Sequence, residues 1–211
     1  MIVLGLYCGH DAAACVLRDG EVLASLELER HSRIRHDYGY REDHVLRVLR
    51  AAGVGIDDVS VVAMNRGFGD AATARPGTVL RPCDVPETGG VRHAAFEAFV
   101  LGRRIPAVAV NHHLCHAASA YYTSPWHSAT TLTLDGGGDG ANASVSRFED
   151  GRLAGIAWRN VEDIAGWWSS ACLNNYRMPR LHAWDPGSGA GKVMALAAYG
   201  ARDEAVEERL A

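Results

Sequence analysis

Three histidines within five positions are the residues best placed to do chemistry. They are His112, His113 and His116, in the stretch "NHHLCHAASAYYTSP". On a helix, residues three or four apart share a face, so His116 can bind one metal ion with either of the other two. Spacing alone does not choose between these pairs. The competing interpretation is one or two solvated histidines at a helix start and one histidine in the core.

A carboxylate that could complete such a metal site stands at the end of the predicted strand "TLTL". This residue is Asp135. Two imidazoles are an incomplete shell, whereas two imidazoles and one carboxylate leave positions open for water or a substrate oxygen. A donor set of this kind suits iron(II), and also manganese or zinc.

A glycine-rich turn, "LDGGGDG", follows the same strand. Its residues Gly136, Gly137, Gly138 and Asp139 allow backbone N–H groups to approach a ligand closely. No helix follows directly, so the pattern predicts a phosphate-binding hairpin and not a dinucleotide-binding Rossmann turn. A merely flexible hairpin is the alternative.

The turn "GHDAAA" near the amino terminus and a glycine-rich stretch near the other end could also contact a ligand. His10 and Asp11 lie in the turn, and the unperturbed pKa of histidine lets His10 serve as a general base on a hydroxyl. The alternative is a histidine that only orients the turn. Lys192 is the only lysine and precedes Val193, where a P-loop requires Ser or Thr, so a Walker A motif is excluded. Lys192 could still contact phosphate, although a solvated lysine is the alternative.

Composition narrows the class of protein that must position these residues. The chain has 211 residues, of which 48% are hydrophobic, and a formal net charge of −4. That charge gives no electrostatic case for a nucleic-acid partner. No apolar run reaches the roughly 20 residues that cross a bilayer, and the amino terminus lacks the pattern of a signal peptide. The five cysteines are scattered, as in a reducing compartment. We therefore expect a cytoplasmic protein without a membrane partner.

Hydrophobic patterns predict alternating strands and helices. The opening predicts three strands, "IVLGLYCG", "AAACVLRDG" and "EVLASLELE", with Asp19-Gly20 as a hairpin turn. A helix over "REDHVLRVLRAAG" follows, with an apolar face of Val45, Leu46, Leu49 and Ala52. Further predictions are a strand over "VSVVAMN", a surface loop over 67–90, a helix near 91–102, a strand over "PAVAVN" and a helix over the histidine segment.

The opening pattern repeats after the histidine segment. "ATTLTLDGGGDGANASVSRFEDGRLAGIAWRN" again predicts three strands, with Asp150-Gly151 as the second hairpin turn. This duplication predicts two similar α/β lobes, residues 1–125 and 126–211, with their first turns facing across a cleft. The second lobe has predicted helices near 162–176 and 191–199 and is shorter than the first. We therefore expect that the second lobe is incomplete: either the chain is a fragment, or a second polypeptide or self-association completes the fold.

Five stretches in this order resemble a known family. "GHDAAACVL", "ELERHSRIRHD", "NHHLCHAASAYYTSP", "LTLDGGGDG" and "GKVMALAAYG" are similar to the O-carbamoyltransferases of nodulation-factor and antibiotic biosynthesis. The resemblance implies an amino-terminal domain of actin/Hsp70/sugar-kinase (RNase H-like) architecture, related to the tRNA threonylcarbamoyl transferases. Arg35 stands where the family more often has lysine, and "DIAGWWSSACLNNYRMP" departs from the usual pattern.

The resemblance also implies a chemistry for the residues above. His112, His116 and Asp135 match family metal ligands, and a fourth, an aspartate, comes from further along in the family. His10 matches the histidine beside the transferred carbamoyl group. A carboxy-terminal domain converts carbamoyl phosphate and ATP to carbamoyl adenylate, and the amino-terminal domain passes the carbamoyl group to a hydroxyl acceptor.

Two other functions remain open at the level of sequence. One is a non-catalytic half-domain that binds nucleotide or metal and completes a partner polypeptide. The other is a sugar-kinase-like phosphotransferase, for which a two-histidine metal site is not needed. The family chemistry further implies that this chain alone makes no carbamoyl adenylate.

Overall fold

The computed structural model describes residues 1–66, 93–161, 194–196, 198–201 and 204. Three predictions therefore lie outside the described residues: the loop over 67–90, the helix near 162–176 and the position of Lys192. Of the helix predicted near 191–199, residues 194–196 are helical.

The chain divides into two compact units. The first comprises Met1–Thr133 with Gly137–Arg159, and the second comprises Leu134–Gly136 with Asn160–Ala211. Among the described residues of the second unit, a helical turn is closed by hydrogen bonds from Ala198 N to Ala195 O and from Tyr199 N to Leu196 O. The lobe boundary at 125/126 stays a prediction.

The first unit begins with the expected antiparallel meander. Strands β1 (Ile2–Tyr7), β2 (Ala13–Arg18) and β3 (Glu21–Glu27) pair in that order. Asp19 and Gly20 join β2 to β3 with φ angles of 51° and 90°. Positive φ at both central residues is what a tight hairpin matched to the strand twist requires, so the Asp-Gly prediction is confirmed.

Three further strands extend this meander into a mixed sheet. They are β4 (Val61–Arg66), β5 (His93–Val100) and β6 (Arg103–Asn111), and the strand order is β3-β2-β1-β4-β6-β5. Strands β1, β4 and β6 are parallel to one another, whereas β5 is antiparallel to β6. A meander whose first strand continues into parallel neighbours is the α/β, RNase H-like arrangement, and the predicted fold class is confirmed.

The predicted helix near 91–102 is wrong, because residues 93–100 form strand β5. Ala98 and Val100 are buried while Glu97 and Phe99 are exposed, which is the two-residue alternation of a strand with one covered face. Leu101 and Gly102 then take φ angles of 49° and 77° and close a hairpin to β6. Alanine and glutamate in this segment favour helix, and the pairing with β6 overrides that preference.

Helices cover this sheet. Helix α1 (Leu28–Ser32) follows β3, and α2 (Glu42–Ala52) ends at Gly53 with φ 67°. Val45, Val48 and Leu49 of α2 are buried in the core, whereas Leu46 is exposed and not on the buried face as predicted. Residues on one face of an α-helix recur every three or four positions, as Val45, Val48 and Leu49 do. Leu46 is turned about 100° around the helix axis from Val45, so it lies off the buried face. A 3₁₀ turn at Ile56–Asp58 leads to β4.

A second meander follows helix α3 (His112–Tyr122), which carries the histidines as predicted. The strands of this meander are β7 (Ser128–Gly138), β8 (Ala141–Glu149) and β9 (Arg152–Arg159), in a sheet of order β7-β8-β9. Helix α3 packs on β8 through Tyr121, whose ring stacks on Phe148 at 4.3 Å between centroids. Among the described helices, none is long and apolar enough to cross a membrane.

Candidate functional site

The start of helix α3 is fixed by two side chains that accept its unpaired N–H groups. Asn111 caps the helix, its Oδ1 accepting a hydrogen bond from Leu114 N at 3.2 Å. Asp139 Oδ2 accepts one from His112 N at 2.7 Å. A capping amide and a carboxylate at a helix amino terminus both stabilise the first turn. This capping holds the backbone of His112 in place.

His112 and His116 point their Nε2 atoms toward each other. The two Nε2 atoms are 3.1 Å apart and the ring centroids are 4.6 Å apart. Two nitrogens bound to one ion at about 2.1 Å stand roughly 3 Å apart, so the distance between the two Nε2 atoms suits a shared metal ion. His116 is exposed and His112 is half-buried, so solvent reaches the pair.

Asp135 is near both histidines. His112, His116 and Asp135 each offer one ligand atom, and these three atoms lie within 4.8 Å of one another. Asp135 Oδ1 also accepts a hydrogen bond from Gly136 N at 2.7 Å, which orients the carboxylate. Two imidazole nitrogens and one carboxylate oxygen form the donor set that the sequence analysis expected for iron(II), manganese or zinc.

His113 belongs to the core and not to this group. Its side chain is fully buried. Nε2 donates to the carbonyl oxygen of Ala141 at 2.9 Å, which requires the proton on that nitrogen, and Nδ1 is 2.8 Å from Thr133 Oγ1. In the neutral ring Nδ1 then accepts from the Thr133 hydroxyl. Both ring nitrogens of His113 are therefore engaged in structural hydrogen bonds.

The glycines after Asp135 differ in what surrounds them. A Cβ at Gly138 would lie 2.3 Å from Cδ2 of His112, so the ring of that histidine occupies the space a side chain would need. A Cβ at Gly136 would meet nothing within 4 Å, and Gly137 has a φ of 143° that disfavours other residues. Gly138 thus makes room for a candidate ligand residue, a role that the sequence did not indicate.

Cys115 lies between the two candidate ligands in sequence and is not equipped to act as a thiolate. Burial, and then the charge of Asp139, raises the pKa of the Cys115 thiol to about 12. A thiol with so high a pKa stays protonated and is a poor nucleophile.

The second cluster of chemistry-bearing residues is the turn between β1 and β2. His10 Nδ1 is 2.7 Å from Asp11 Oδ2, and Asp11 has a φ of 57°. The other oxygen of the same carboxylate, Oδ1, is 2.6 Å from Nδ1 of His36. Sequence reasoning singled out His10 and Asp11 but missed His36, because 25 residues separate it from Asp11 and only the fold brings the two together.

The charge state of this cluster follows from its contacts. Burial by itself raises the pKa of Asp11, but hydrogen bonds and positive charge from His10 and His36 outweigh that effect and hold the pKa below its ordinary value. An ionised Asp11 accepts hydrogen bonds on both oxygens. It therefore orients His10 with Nδ1 toward the carboxylate and Nε2 away from it, as a base held by a carboxylate requires.

Comparisons with known proteins identify the class of protein to which this α/β fold with its two histidine clusters belongs. Residues 97–211 match the family model described as "Carbamoyltransferase N-terminus". The chain is 30% identical over 197 residues to the nodulation protein NolNO of Sinorhizobium fredii, covering 90% of this chain and 28% of that protein. It is 41% identical over 98 residues to the uncharacterized protein MJ1058 of Methanocaldococcus jannaschii, covering 42% of this chain and 16% of that protein.

The chain belongs to the carbamoyltransferase family and matches its amino-terminal part. It spans about 28% of the length of NolNO and about 16% of the length of MJ1058. Among solved structures, it is similar to the activator of 2-hydroxyisocaproyl-CoA dehydratase from Clostridium difficile with bound ADPNP. That similarity has a TM-score of 0.44 and 12% identity, and covers 96% of this chain and 68% of the activator.

Proposed function

We propose that this chain is the amino-terminal part, or a subunit, of an O-carbamoyltransferase. It moves a carbamoyl group from carbamoyl adenylate to a hydroxyl of a small-molecule acceptor, such as a natural product or a sugar. The observation that carries the proposal is the match of residues 97–211 to the carbamoyltransferase amino terminus. The contacts of His10 and of the pair His112 and His116 support it, since each suits one part of this chemistry.

The transfer step needs a base and a leaving group. The acceptor oxygen attacks the carbamoyl carbon and forms a C–O bond, while the bond from that carbon to the adenylate phosphate oxygen breaks and AMP leaves. His10 Nε2 accepts the proton of the attacking hydroxyl, since its Nδ1 is directed at Asp11. Asp11 stays ionised and stabilises the imidazolium that forms.

A divalent metal ion, which we expect to be iron(II) with manganese or zinc as alternatives, would be held by His112, His116 and Asp135. When bound, the ion stabilises negative charge on phosphate or carbamoyl oxygen. The N–N distance of 3.1 Å and the nearby carboxylate support this assignment. Gly138 and Asp139 contribute by fixing His112 from its ring side and its backbone side.

The nucleotide part of the proposal rests on the family chemistry. Carbamoyl phosphate and ATP would supply the carbamoyl adenylate. We propose that its phosphate is bound by backbone N–H groups of Gly136, Gly137, Gly138 and Asp139. The three glycines, predicted to form a turn, are the last residues of strand β7, and Asp139 begins the turn to β8. Lys192 would add a positive charge. The exposure of Gly136 and Gly137 is compatible with a ligand at this end of β7.

A labelling experiment tests the proposed transfer. The chain is co-expressed with the polypeptides encoded beside its gene and incubated with ¹⁴C-labelled carbamoyl phosphate, ATP and a panel of sugar and natural-product alcohols. We expect a labelled carbamate ester whose formation requires this chain, is lost in His10→Ala and persists in His127→Ala, which removes an exposed histidine outside both clusters. Transfer that survives His10→Ala, or that does not need this chain, contradicts the proposal.

The same preparation distinguishes the alternative of a non-catalytic half-domain. Such a half-domain would bind metal or nucleotide and pair with a second polypeptide or with a copy of itself, yet labelled ester formation would not depend on His10. The co-purified partner, if one is present, is identified by mass spectrometry and the stoichiometry by light scattering.

A further inference from the structure

His36 contacts the same carboxylate that orients His10. Its Nδ1 is 2.6 Å from Asp11 Oδ1, while His10 Nδ1 is 2.7 Å from Asp11 Oδ2. The side chain of His36 is 21% exposed, whereas those of His10 and Asp11 are 42% and 43% exposed. The carboxylate therefore links a more buried imidazole to a more accessible one.

The segment that carries His36 is hydrogen-bonded to both sides of the His10–Asp11 turn. Ala12 N donates to Asp37 O at 3.0 Å, and Gly39 N donates to Cys8 O at 2.9 Å. The backbone N–H of His36 itself donates to Glu29 Oε2 at 3.0 Å. These backbone contacts place the His36 ring against Asp11 independently of the ring's own hydrogen bond.

The backbone at both contacting residues has an uncommon conformation. Asp11 has a φ of 57° and His36 a φ of 54°, in the left-handed region that costs free energy for residues other than glycine. The hairpin residues Asp19, Leu101 and Asp150 share this conformation, so it marks turns whose backbone is fixed by the surrounding contacts. The His36–Asp11 hydrogen bond therefore joins two turns whose backbones are each held in place.

We propose that His36 is a positioning residue for carbamoyl transfer, which acts on His10 through Asp11. Its Nδ1–H donates to Asp11 Oδ1 and fixes the carboxylate, so that Oδ2 accepts the Nδ1–H of His10. His10 is thereby held in the tautomer whose Nε2 carries the lone pair for the acceptor's proton. This inference rests on the proposed function, in which His10 is the general base.

Nitrogen NMR of the histidine rings tests the proposal without an activity assay. Long-range ¹H–¹⁵N spectra of the ¹⁵N-histidine-labelled chain are recorded near pH 8, where unperturbed imidazoles are neutral. In the wild-type chain we expect protonated Nδ1 in both His10 and His36. In His36→Ala we expect His10 to lose this single tautomer and become a mixture, and in His36→Asn, whose amide can still donate to Asp11, we expect it to be retained.

The controls keep the outcome decisive. His127→Ala removes an exposed histidine and should leave the His10 ring signals unchanged. An unchanged His10 tautomer in a folded His36→Ala chain overturns the positioning role. If His36→Ala does not fold, the wild-type spectrum still decides, because a His36 ring protonated on Nε2 and not on Nδ1 contradicts the proposal. Failure of the proposed function would appear differently, as carbamoyl transfer that survives His10→Ala.

Discussion

Neighbouring histidines of helix α3 have opposite environments. His113 is fully buried with both ring nitrogens engaged, whereas His116 is exposed and faces His112 across 3.1 Å. The spacing of these residues predicted that one pair could share an ion, but it left open which pair. The decision depends on which side of α3 packs on strand β8, and that contact is made by Ala117 and Tyr121, whose sequence pattern is too weak to reveal it.

Removal of His116 should weaken metal binding without harming the fold. We expect His116→Ala to lower the affinity for iron(II) or zinc at least tenfold, because it removes one of the few donors from an exposed position. Metal content after dialysis against each ion and titration calorimetry measure the effect, and His127→Ala is the matched control. Equal metal content in the two variants would contradict the assignment.

Removal of His113 should instead destabilise the fold and leave metal binding intact. His113→Ala leaves a cavity and removes the hydrogen bond to the buried carbonyl of Ala141. It also removes one partner of the Thr133 hydroxyl, which keeps its contacts with Ser144. We expect the free energy of unfolding to fall by about 2–4 kcal/mol, as for other large-to-small changes at buried sites. Urea denaturation measures this loss. A variant as stable as the wild type would show that these two hydrogen bonds contribute nothing.

At the scale of elements, strands with strong turn signals were predictable and strand β5 was not. The Asp-Gly turns at 19–20 and 150–151 have positive φ at both residues, as that dipeptide predicts. The turn before β6 uses Leu101-Gly102, in which leucine gives no such signal, and β5 is rich in alanine. The strand conformation of β5 depends on its pairing with β6, and the local sequence of the segment does not reveal that pairing.

Strand β7 offers a test of how closely its end must approach helix α3. Gly138→Ala places a Cβ where the ring of His112 lies, so the ring or the strand must shift. We expect Gly138→Ala to lower metal affinity at least tenfold, whereas Gly136→Ala, whose Cβ meets open space, should retain it. Calorimetric titration of both variants with zinc checks this. Equal affinity for the two would show that His112 adjusts freely.

The cap of helix α3 is a second test at this scale. Asn111 Oδ1 accepts from Leu114 N and from Trp158 Nε1, each at 3.2 Å, so it ties the helix start to strand β9. We expect Asn111→Ala to lower the free energy of unfolding by about 1–2 kcal/mol, the range for loss of an N-cap. Asn111→Asp, which keeps the capping oxygen, is the control in urea denaturation and should lose less.

At the scale of the molecule, the sequence predicted the α/β class and both meanders because hairpin turns and apolar alternation are local signals. It did not predict the links between distant segments that build the two histidine clusters. His36 reaches Asp11, and Asp139 reaches the backbone of His112, only because strand pairing brings their segments together. Residue types at these positions are ordinary, so no local pattern marks them.

Stability should fall on mild acidification because His44 is buried at the start of helix α2. Burial, and then the charge of His31, holds the pKa of His44 below its ordinary value of about 6.5. The unfolded chain therefore binds a proton at His44 more readily than the folded chain. Lowering the pH from about 6.5 to the lower pKa of the folded state favours unfolding, and above pH 6.5 this contribution is absent.

The expected outcome is a free energy of unfolding that decreases between pH 7.5 and pH 5.5 in the wild type and decreases less in His44→Leu. Urea denaturation at both pH values measures it, with His127→Leu as the control for loss of an exposed histidine. Asp43, which neighbours His44, does not interfere in this window. The pKa of Asp43, lowered to about 2 by its hydrogen bond to His31 and its contacts with Arg41, makes its contribution disappear only as the pH falls below about 4. An identical pH dependence in the wild type and His44→Leu would show that His44 takes up its proton without disturbing the fold.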